Sequence, residues 1–181
     1  MNIVKTSLPG VFILEPSVFA DQRGFFLETY NQRVFAEQAG IVESFVQDNH
    51  SRSAKNVLRG LHYQIKQAQG KLVRAVSGSV MDVCVDVRRT SPSFARWVSV
   101  ELSAENKRMV WIPRGFAHGF MVKSEYAEVV YKTTDYWAPE HERTIAWNDP
   151  EIAIDWQLNA APILSAKDNA GARLRDAQVF E

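Results

Sequence analysis

The chain has 181 residues, the length of one domain at roughly 100–200 residues per domain, which argues against a second module dedicated to a cofactor. Its 21 Lys plus Arg balance 21 Asp plus Glu, so no net charge draws the whole molecule to nucleic acid or to an anionic membrane. A hydrophobic fraction of 46%, with 11% aromatic residues, excludes a disordered composition.

Met1 to Ser7 lack the charged-then-apolar pattern of a secretion signal, and no segment offers the roughly 18 uninterrupted apolar residues of a membrane span. Cys84, the only cysteine, lies in the apolar run Val80–Val85 and reads as a buried, inert thiol. An intrachain disulfide and a multi-cysteine metal site are therefore excluded. The expected setting is reducing and cytoplasmic, with neither membrane nor nucleic acid as a partner.

Val11–Leu14 reads as a strand, Asp21-Gln22-Arg23-Gly24 as a turn and Phe25–Tyr30 as a second strand. Asn31 is placed to cap a short helix that runs to Ala39 and stops at Gly40. Strands are then predicted at Phe45–Asn49, Val57–Gln64, Leu72–Val76, Ser79–Val87, Trp97–Leu102, Met109–Ile112, Gly119–Val122, Glu128–Thr133 and Thr144–Trp147. In Ser79–Val87 the parity of Met81, Val83, Val85 and Val87 predicts a core face, and that of Asp82, Cys84 and Asp86 a semi-polar one. This order gives an all-β class: one sandwich or barrel of the double Greek-key type spanning 1–181, with loops and a short helix packed outside the sheets from about residue 150.

The four histidines, His50, His62, His118 and His141, form no i, i+2 or i, i+4 pair, so a helical zinc signature is absent. Without a GxxxxGK[ST] or GxGxxG segment, a nucleotide would have to be held by side chains. Nucleophilic acyl transfer has no support either, because there is no Gly-X-Ser-X-Gly elbow and no base near Cys84 in sequence. Asn56–Gln64 carries Arg59 and His62 in one strand-like run. Strict pleating puts them on opposite faces, so a shared site requires a bulge at Gly60 or a rim position for one of them. Taken singly, His62 reads as a half-buried histidine bonded to backbone, Tyr131 as a core aromatic, and Asp168 as the closing residue of a capping box begun by Ser165. Arg23, Arg59, Lys71, Arg74 and Lys167 look individually like solvated charges.

Several blocks together resemble the dTDP-4-dehydrorhamnose 3,5-epimerase family: Asp21-Gln22-Arg23-Gly24-Phe25-Phe26, Phe45 to Ser51, Asn56 to His62, Gln69 to Arg74, Ile112 to Phe120, and Leu164-Ser165-Ala166-Lys167-Asp168. The resemblance runs from about Ile3 to Asp168 and is specific because the blocks follow in order. It implies a cupin-type jelly roll, a homodimer, and inversion of carbons 3 and 5 of a 4-keto-6-deoxyhexose carried on dTDP. Both carbons flank the C4 ketone, so losing either proton yields an enolate, and inversion requires a proton returned from the opposite face. Base and acid are then different groups. By resemblance His62 is the base, Tyr131 the acid, Asp168 the carboxylate behind the base, and Lys71 the cation near the keto oxygen. Resemblance further assigns Arg23, Glu28, Gln47, Asn49, Arg59, His118, Glu142 and Lys167 to the nucleotide sugar, with Arg23 and Glu28 on an early strand that completes the partner subunit's site.

The chain departs from the family in two places. Trp137, after Tyr136, stands where many members carry a second tyrosine, and the loop Gln64–Gln69 is short. Pro113 to His118 matches half of a second cupin metal motif, but His62-Tyr63-Gln64 lacks the His-x-His and Glu of the first. Neither a catalytic metal nor a cofactor is expected. The sequence thus points to a cofactor-independent epimerase. The alternatives are a single-carbon epimerase, a 3,4-ketoisomerase of the same fold, and a non-catalytic jelly roll that binds sugar nucleotides.

Overall fold

The computed structural model describes residues 1–181. In chain order its elements are β1 (Asn2–Lys5), β2 (Phe12–Glu15), β3 (Val18–Asp21), β4 (Gly24–Leu27), α1 (Gln32–Ala39), β5 (Gln47–Ala54), β6 (Leu58–Gln64) and β7 (Lys71–Ser77). There follow β8 (Ser79–Asp86), β9 (Trp97–Ser103), β10 (Met109–Ile112), β11 (Phe116–Val122), β12 (Tyr126–Thr133), β13 (Glu142–Thr144) and α2 (Ala166–Asn169). A six-stranded antiparallel sheet, β1-β2-β10-β7-β12-β5, faces a five-stranded one, β13-β6-β11-β8-β9. This is the jelly roll predicted above. β3 and β4 form a separate hairpin that pairs with neither sheet.

The alternation of each strand decides what the two sheets bury. Val73, Val80, Cys84, Leu102, Val110, Phe116, Phe120 and Val129 point between the sheets and fill one end of the interior. The outer face of the five-stranded sheet, with Leu58, Leu61, Tyr63, Met81, Val83 and Val85, is covered by Ile145, Ile152, Trp156, Leu174 and Val179 of the C-terminal segment. Leu14, Leu72, Met109 and Trp111, on the outer face of the other sheet, receive Phe35 and Ile41. Both parities of β8 are therefore buried, because its strand is covered on both sides. The semi-polar parity is the one that faces the interior.

Local chemistry sets α1 as the sequence predicts: the Asn31 side chain accepts from the Arg33 and Val34 amides, and Gly40 ends the helix at φ 67°. Other boundaries differ. β1 and β3 are short strands without a period long enough to announce them, and β4 ends at Leu27 rather than Tyr30. β5 runs on to Ala54 instead of ending at Asn49, because its inward residues Gln47, Asn49, Ser51 and Ser53 are polar and show no apolar alternation. β11 begins at Phe116, and the last strand pairs over Glu142–Thr144 rather than Thr144–Trp147. Ile145 exchanges backbone hydrogen bonds with Leu61, and Ala146 then turns to the Ala172 carbonyl, which ends the regular ladder.

Candidate active site

A bulge in β6 resolves the conflict between Arg59 and His62. His118 of β11 lies opposite His62 while Phe120 lies opposite Arg59, so Gly60 and Leu61 together face Gly119. The extra residue shifts the alternation: Leu58, Leu61 and Tyr63 join the outer cluster, and Arg59, His62 and Gln64 line an interior cavity. Only glycine fits at position 60. Its φ is 137°, and a Cβ there would stand 2.5 Å from the Gly119 Cα.

The cavity holds about 370 Å³, within the range of small-molecule sites. It occupies the end of the interior that the apolar cluster leaves free. The five-stranded sheet contributes Arg59, His62, His118 and Glu142, and the six-stranded sheet contributes Gln47, Asn49, Lys71 and Tyr131. Tyr131 lies beside Asn49 of β5 and Val73 of β7, and Thr133 lies beside Lys71, so Lys71 and Tyr131 share the inward face. His62 therefore reaches the cavity from one sheet, and Tyr131 and Lys71 reach it from the other.

His62 Nε2 lies 2.7 Å from Asp168 Oδ1. A carboxylate accepts, so Nε2 carries the proton and Nδ1 is left as the ring's acceptor. Asp168 is buried and also accepts from the Gly60 amide at 3.2 Å and from the Ser165 hydroxyl. Ser165 and Asp168 at the same time form the capping box that starts α2. Capping and pairing are thus one arrangement: the box fixes the carboxylate that holds the imidazole. Burial alone would raise the Asp168 carboxyl, but the bonds from His62, Ser165 and Gly60 outweigh it and hold the group well below the ordinary carboxylate range. Burial lowers the His62 imidazole below its usual value, and the bond to Asp168 offsets this only in part.

Lys71 Nζ is buried and lies 3.4 Å from the His62 carbonyl oxygen. Burial lowers its ammonium to about 8, against the opposing pull of Glu142 and Asp82. Tyr131 is raised by burial and by Glu142, so its phenol keeps its proton at neutral pH. Lys167 Nζ meets Glu142 Oε1 at 2.9 Å on the rim. Gln64 donates to the Gln67 and Tyr136 carbonyls and accepts from the Ala138 amide, while Gln47 accepts from the Trp137 amide. Together these glutamines hold the loop that presents Trp137 at the cavity mouth, 60% exposed.

Ten of the sequence-selected residues line this one cavity: His62, Tyr131, Asp168, Lys71, Gln47, Asn49, Arg59, His118, Glu142 and Lys167. Arg23 and Glu28 do not. Arg23, in the turn of the hairpin, folds back onto Asp21 at 2.6 Å, and Glu28, which follows β4, accepts from Asn31. Sequence reasoning missed Ser51, Gln64, Gln69 and, behind His118, the buried Asp82, whose Oδ2 accepts from His118 Nε2 at 2.8 Å. The one signal for Asp82 was its place on the semi-polar parity of β8. No group of three or more His, Cys, Asp or Glu side chains is placed to hold a metal ion.

A jelly roll whose interior sets an imidazole–carboxylate pair against a phenol and a buried ammonium defines a cupin-type isomerase built for proton transfer. The family model for dTDP-4-dehydrorhamnose 3,5-epimerase matches residues 5–176. The chain is 64% identical over 180 residues to the dTDP-4-dehydrorhamnose 3,5-epimerase of Pseudomonas aeruginosa, covering 99% of each. It is 57% identical over 182 residues to that of Salmonella typhimurium, covering 100% of each. The crystal structure of a dTDP-6-deoxy-D-glucose-3,5-epimerase from Legionella pneumophila in complex with dTDP-4-keto-L-rhamnose superposes with a TM-score of 0.96 at 51% identity, covering 98% of this chain and 94% of that one. The chain belongs to the dTDP-4-dehydrorhamnose 3,5-epimerase family.

Proposed function

We propose that this protein epimerises dTDP-4-dehydro-6-deoxy-D-glucose at C3 and C5, giving dTDP-4-dehydro-L-rhamnose, with His62 as base and Tyr131 as acid. The observation that carries this reading is the placement of His62 and Tyr131 on opposite sheets around one cavity. A hexose ring between them meets an acceptor on one face and a donor on the other. His62 Nδ1 takes the proton from the carbon next to the ketone, and the C–H electron pair moves into an enolate on the C4 oxygen. Asp168 stabilises the imidazolium that forms. Lys71 supplies the charge that favours the enolate over the ketone. Tyr131 then delivers its proton to the opposite face of the carbon, and exchange with solvent resets imidazolium and phenolate before the second carbon reacts. Arg59, His118, Gln47, Asn49, Glu142 and Lys167 hold the nucleotide sugar, with Arg59 suited to bidentate phosphate contact.

The active form in this reading is a homodimer in the cytoplasm. The β3–β4 hairpin exposes Phe19, Phe25 and Phe26 and pairs with no sheet of its own chain, and an isolated hairpin is marginally stable. Docked on a second copy, it buries those rings and carries Arg23 and Glu28 to the neighbouring site. Sedimentation as a monomer would remove the dimer from the proposal.

Deuterium incorporation from heavy water tests the chemistry. The expected result is label at both C3 and C5 of the sugar, with the inverted product. Label at one carbon only assigns a single-carbon epimerase, and no label under any condition leaves a binding protein.

A further inference from the structure

We propose that Ser53 is a positioning residue for substrate binding: its buried hydroxyl anchors Arg59 by Nε and leaves the rest of the guanidinium, with its charge intact, for the diphosphate of the nucleotide sugar. Ser53 stands on the inward row of β5, the edge strand of the six-stranded sheet, and Arg59 on β6 of the other sheet. Arg59 Nε donates to Ser53 Oγ at 3.0 Å, so one side-chain bond ties the two sheets together beside the cavity. It is the only side-chain hydrogen bond that either residue makes. Ser53 is 6% exposed and lies opposite Ala127 of β12, a member of the apolar interior cluster. A hydroxyl buried there costs stability unless it is bonded, and Arg59 supplies the bond.

The rest of the inward row has other tasks. Gln47 accepts from the Trp137 amide and donates to Asn49, and Ser51 Oγ makes no hydrogen bond, so Ser53 is the member of the row that holds a charged side chain. The choice of anchor decides what charge remains. Arg88 and Arg108 each donate from Nε to a carboxylate, Asp86 and Glu15, which balances the guanidinium. Arg59 is fixed instead by a neutral hydroxyl, and both Nη groups are left for phosphate oxygens. Without an anchor, a long and exposed arginine must be ordered when the ligand binds, at the expense of affinity. Ser53 lies outside the cavity lining, so it acts through Arg59 and not on the nucleotide sugar itself.

The role of Ser53 rests on the proposed assignment of Arg59 to the diphosphate, and calorimetry with dTDP, together with steady-state kinetics, separates the two. In Ser53→Ala the dissociation constant of dTDP and the KM for the dTDP sugar are expected to rise about tenfold, the scale of one bond to a charged group. With His62, Tyr131 and Lys71 untouched, kcat should change less than about threefold. Ser53→Thr keeps the hydroxyl and should bind dTDP within about threefold of the unaltered protein, whereas Ser53→Val, of the same shape without it, should behave as Ser53→Ala. Adding Ser53→Ala to Arg59→Ala should cost nothing further, because the effect passes through the guanidinium. Equal losses in the Thr and Val variants mark packing, a fall in kcat with KM unmoved marks a role outside binding, and additive losses in the double variant mark a route that avoids Arg59; each overturns the proposal. If Ser53→Ala does not fold, by circular dichroism and thermal melting, the Thr and Val pair is read alone, and failure of that pair as well overturns it. If Arg59→Ala leaves dTDP affinity unchanged, the assignment of Arg59 itself falls. If Arg59→Ala weakens dTDP binding while Ser53→Ala does not, only the role of Ser53 falls.

Discussion

His62 and His118 stand directly opposite one another on β6 and β11, and each is bonded through Nε2 to a different buried carboxylate, Asp168 and Asp82. Two imidazoles of one register pair are thus held by different partners. Asp168 arrives from α2, outside the sheets, whereas Asp82 comes from the neighbouring strand β8. The His62 ring takes its orientation from a segment more than a hundred residues away in sequence, and that segment is fixed by its own capping box.

Replacing the proposed base, His62, should stop chemistry without emptying the site. His62→Asn is expected to lower deuterium exchange at both carbons by at least roughly a thousandfold, the scale of a general base. Binding of dTDP, followed by calorimetry, should persist, because Arg59 and Lys167 are untouched. Asp168→Asn should retain the helix cap but lose the charge behind His62, with a fall of about 10–100-fold in kcat. Exchange surviving His62→Asn at an appreciable rate would mean another group takes the proton.

The pH profile should be bell-shaped, with both limbs traceable to burial. In the proposed mechanism His62 acts as the free base, and its value in the free protein is lowered from 6.5, so kcat/KM rises with pH through a region below 6.5 and is already high at neutrality. In the same mechanism Lys71 acts as the cation and is lowered to about 8 in the free protein, so kcat/KM declines as pH rises through that value. A descending limb near the ordinary lysine range of about 10 would show that the ammonium is not the group that matters.

Burying Lys71 costs stability, and the sign is testable. A lysine lowered from 10.5 to about 8 holds its proton less tightly in the folded chain than in the unfolded one. The charged form then costs roughly 3 kcal/mol at neutral pH, a penalty relieved as pH rises from about 8 toward the unfolded value. Lys71→Met should therefore melt at a higher temperature than the parent at pH 7, with the difference shrinking near pH 10, while losing most of its activity. A lower melting temperature at pH 7 would show that the ammonium is well compensated and that the charge is not a source of strain.

Much of the fold was legible because its two sheets are written in alternating residues and its helix α1 in a cap and a stop. The site was legible for a different reason. Asn56–Gln64, Ile112–Phe120 and the segment around Asp168 are strings of unlike chemistry whose order carries the family resemblance. What the strings could not say is how they meet. A strictly pleated β6 separates Arg59 from His62, and only the bulge at Gly60 against Gly119 turns both inward. The polar inner row of β5 carries no apolar period, so the strand looked finished at Asn49, and Ser51 was lost with it. Gln64 was invisible because its work is done on the backbone of residues 136–138, far along the chain. Arg23 and Glu28 fail to reach the cavity of their own chain, which no reading of single-chain pleating would predict.

In the proposed mechanism Tyr131 separates the two halves of the reaction: its phenol, on the six-stranded sheet, acts after the enolate has formed, whereas proton removal is assigned to His62 on the five-stranded one. In Tyr131→Phe the base, its carboxylate and the Lys71 ammonium are all kept, so the sugar should still lose its C–H proton and regain one from the His62 face. The expected signature is deuterium entering C3 and C5 with retained configuration faster than inverted product appears. Inversion should fall by about 10²–10⁴-fold and exchange by much less. Both rates are read in one sample by proton NMR, from the loss of the C3 and C5 signals of the substrate and the growth of the product's. Equal slowing of the two would place the phenol in the first step, either as a second base or as a donor to the C4 oxygen. The assignment of opposite faces to His62 and Tyr131 would then be wrong, although both line the same cavity.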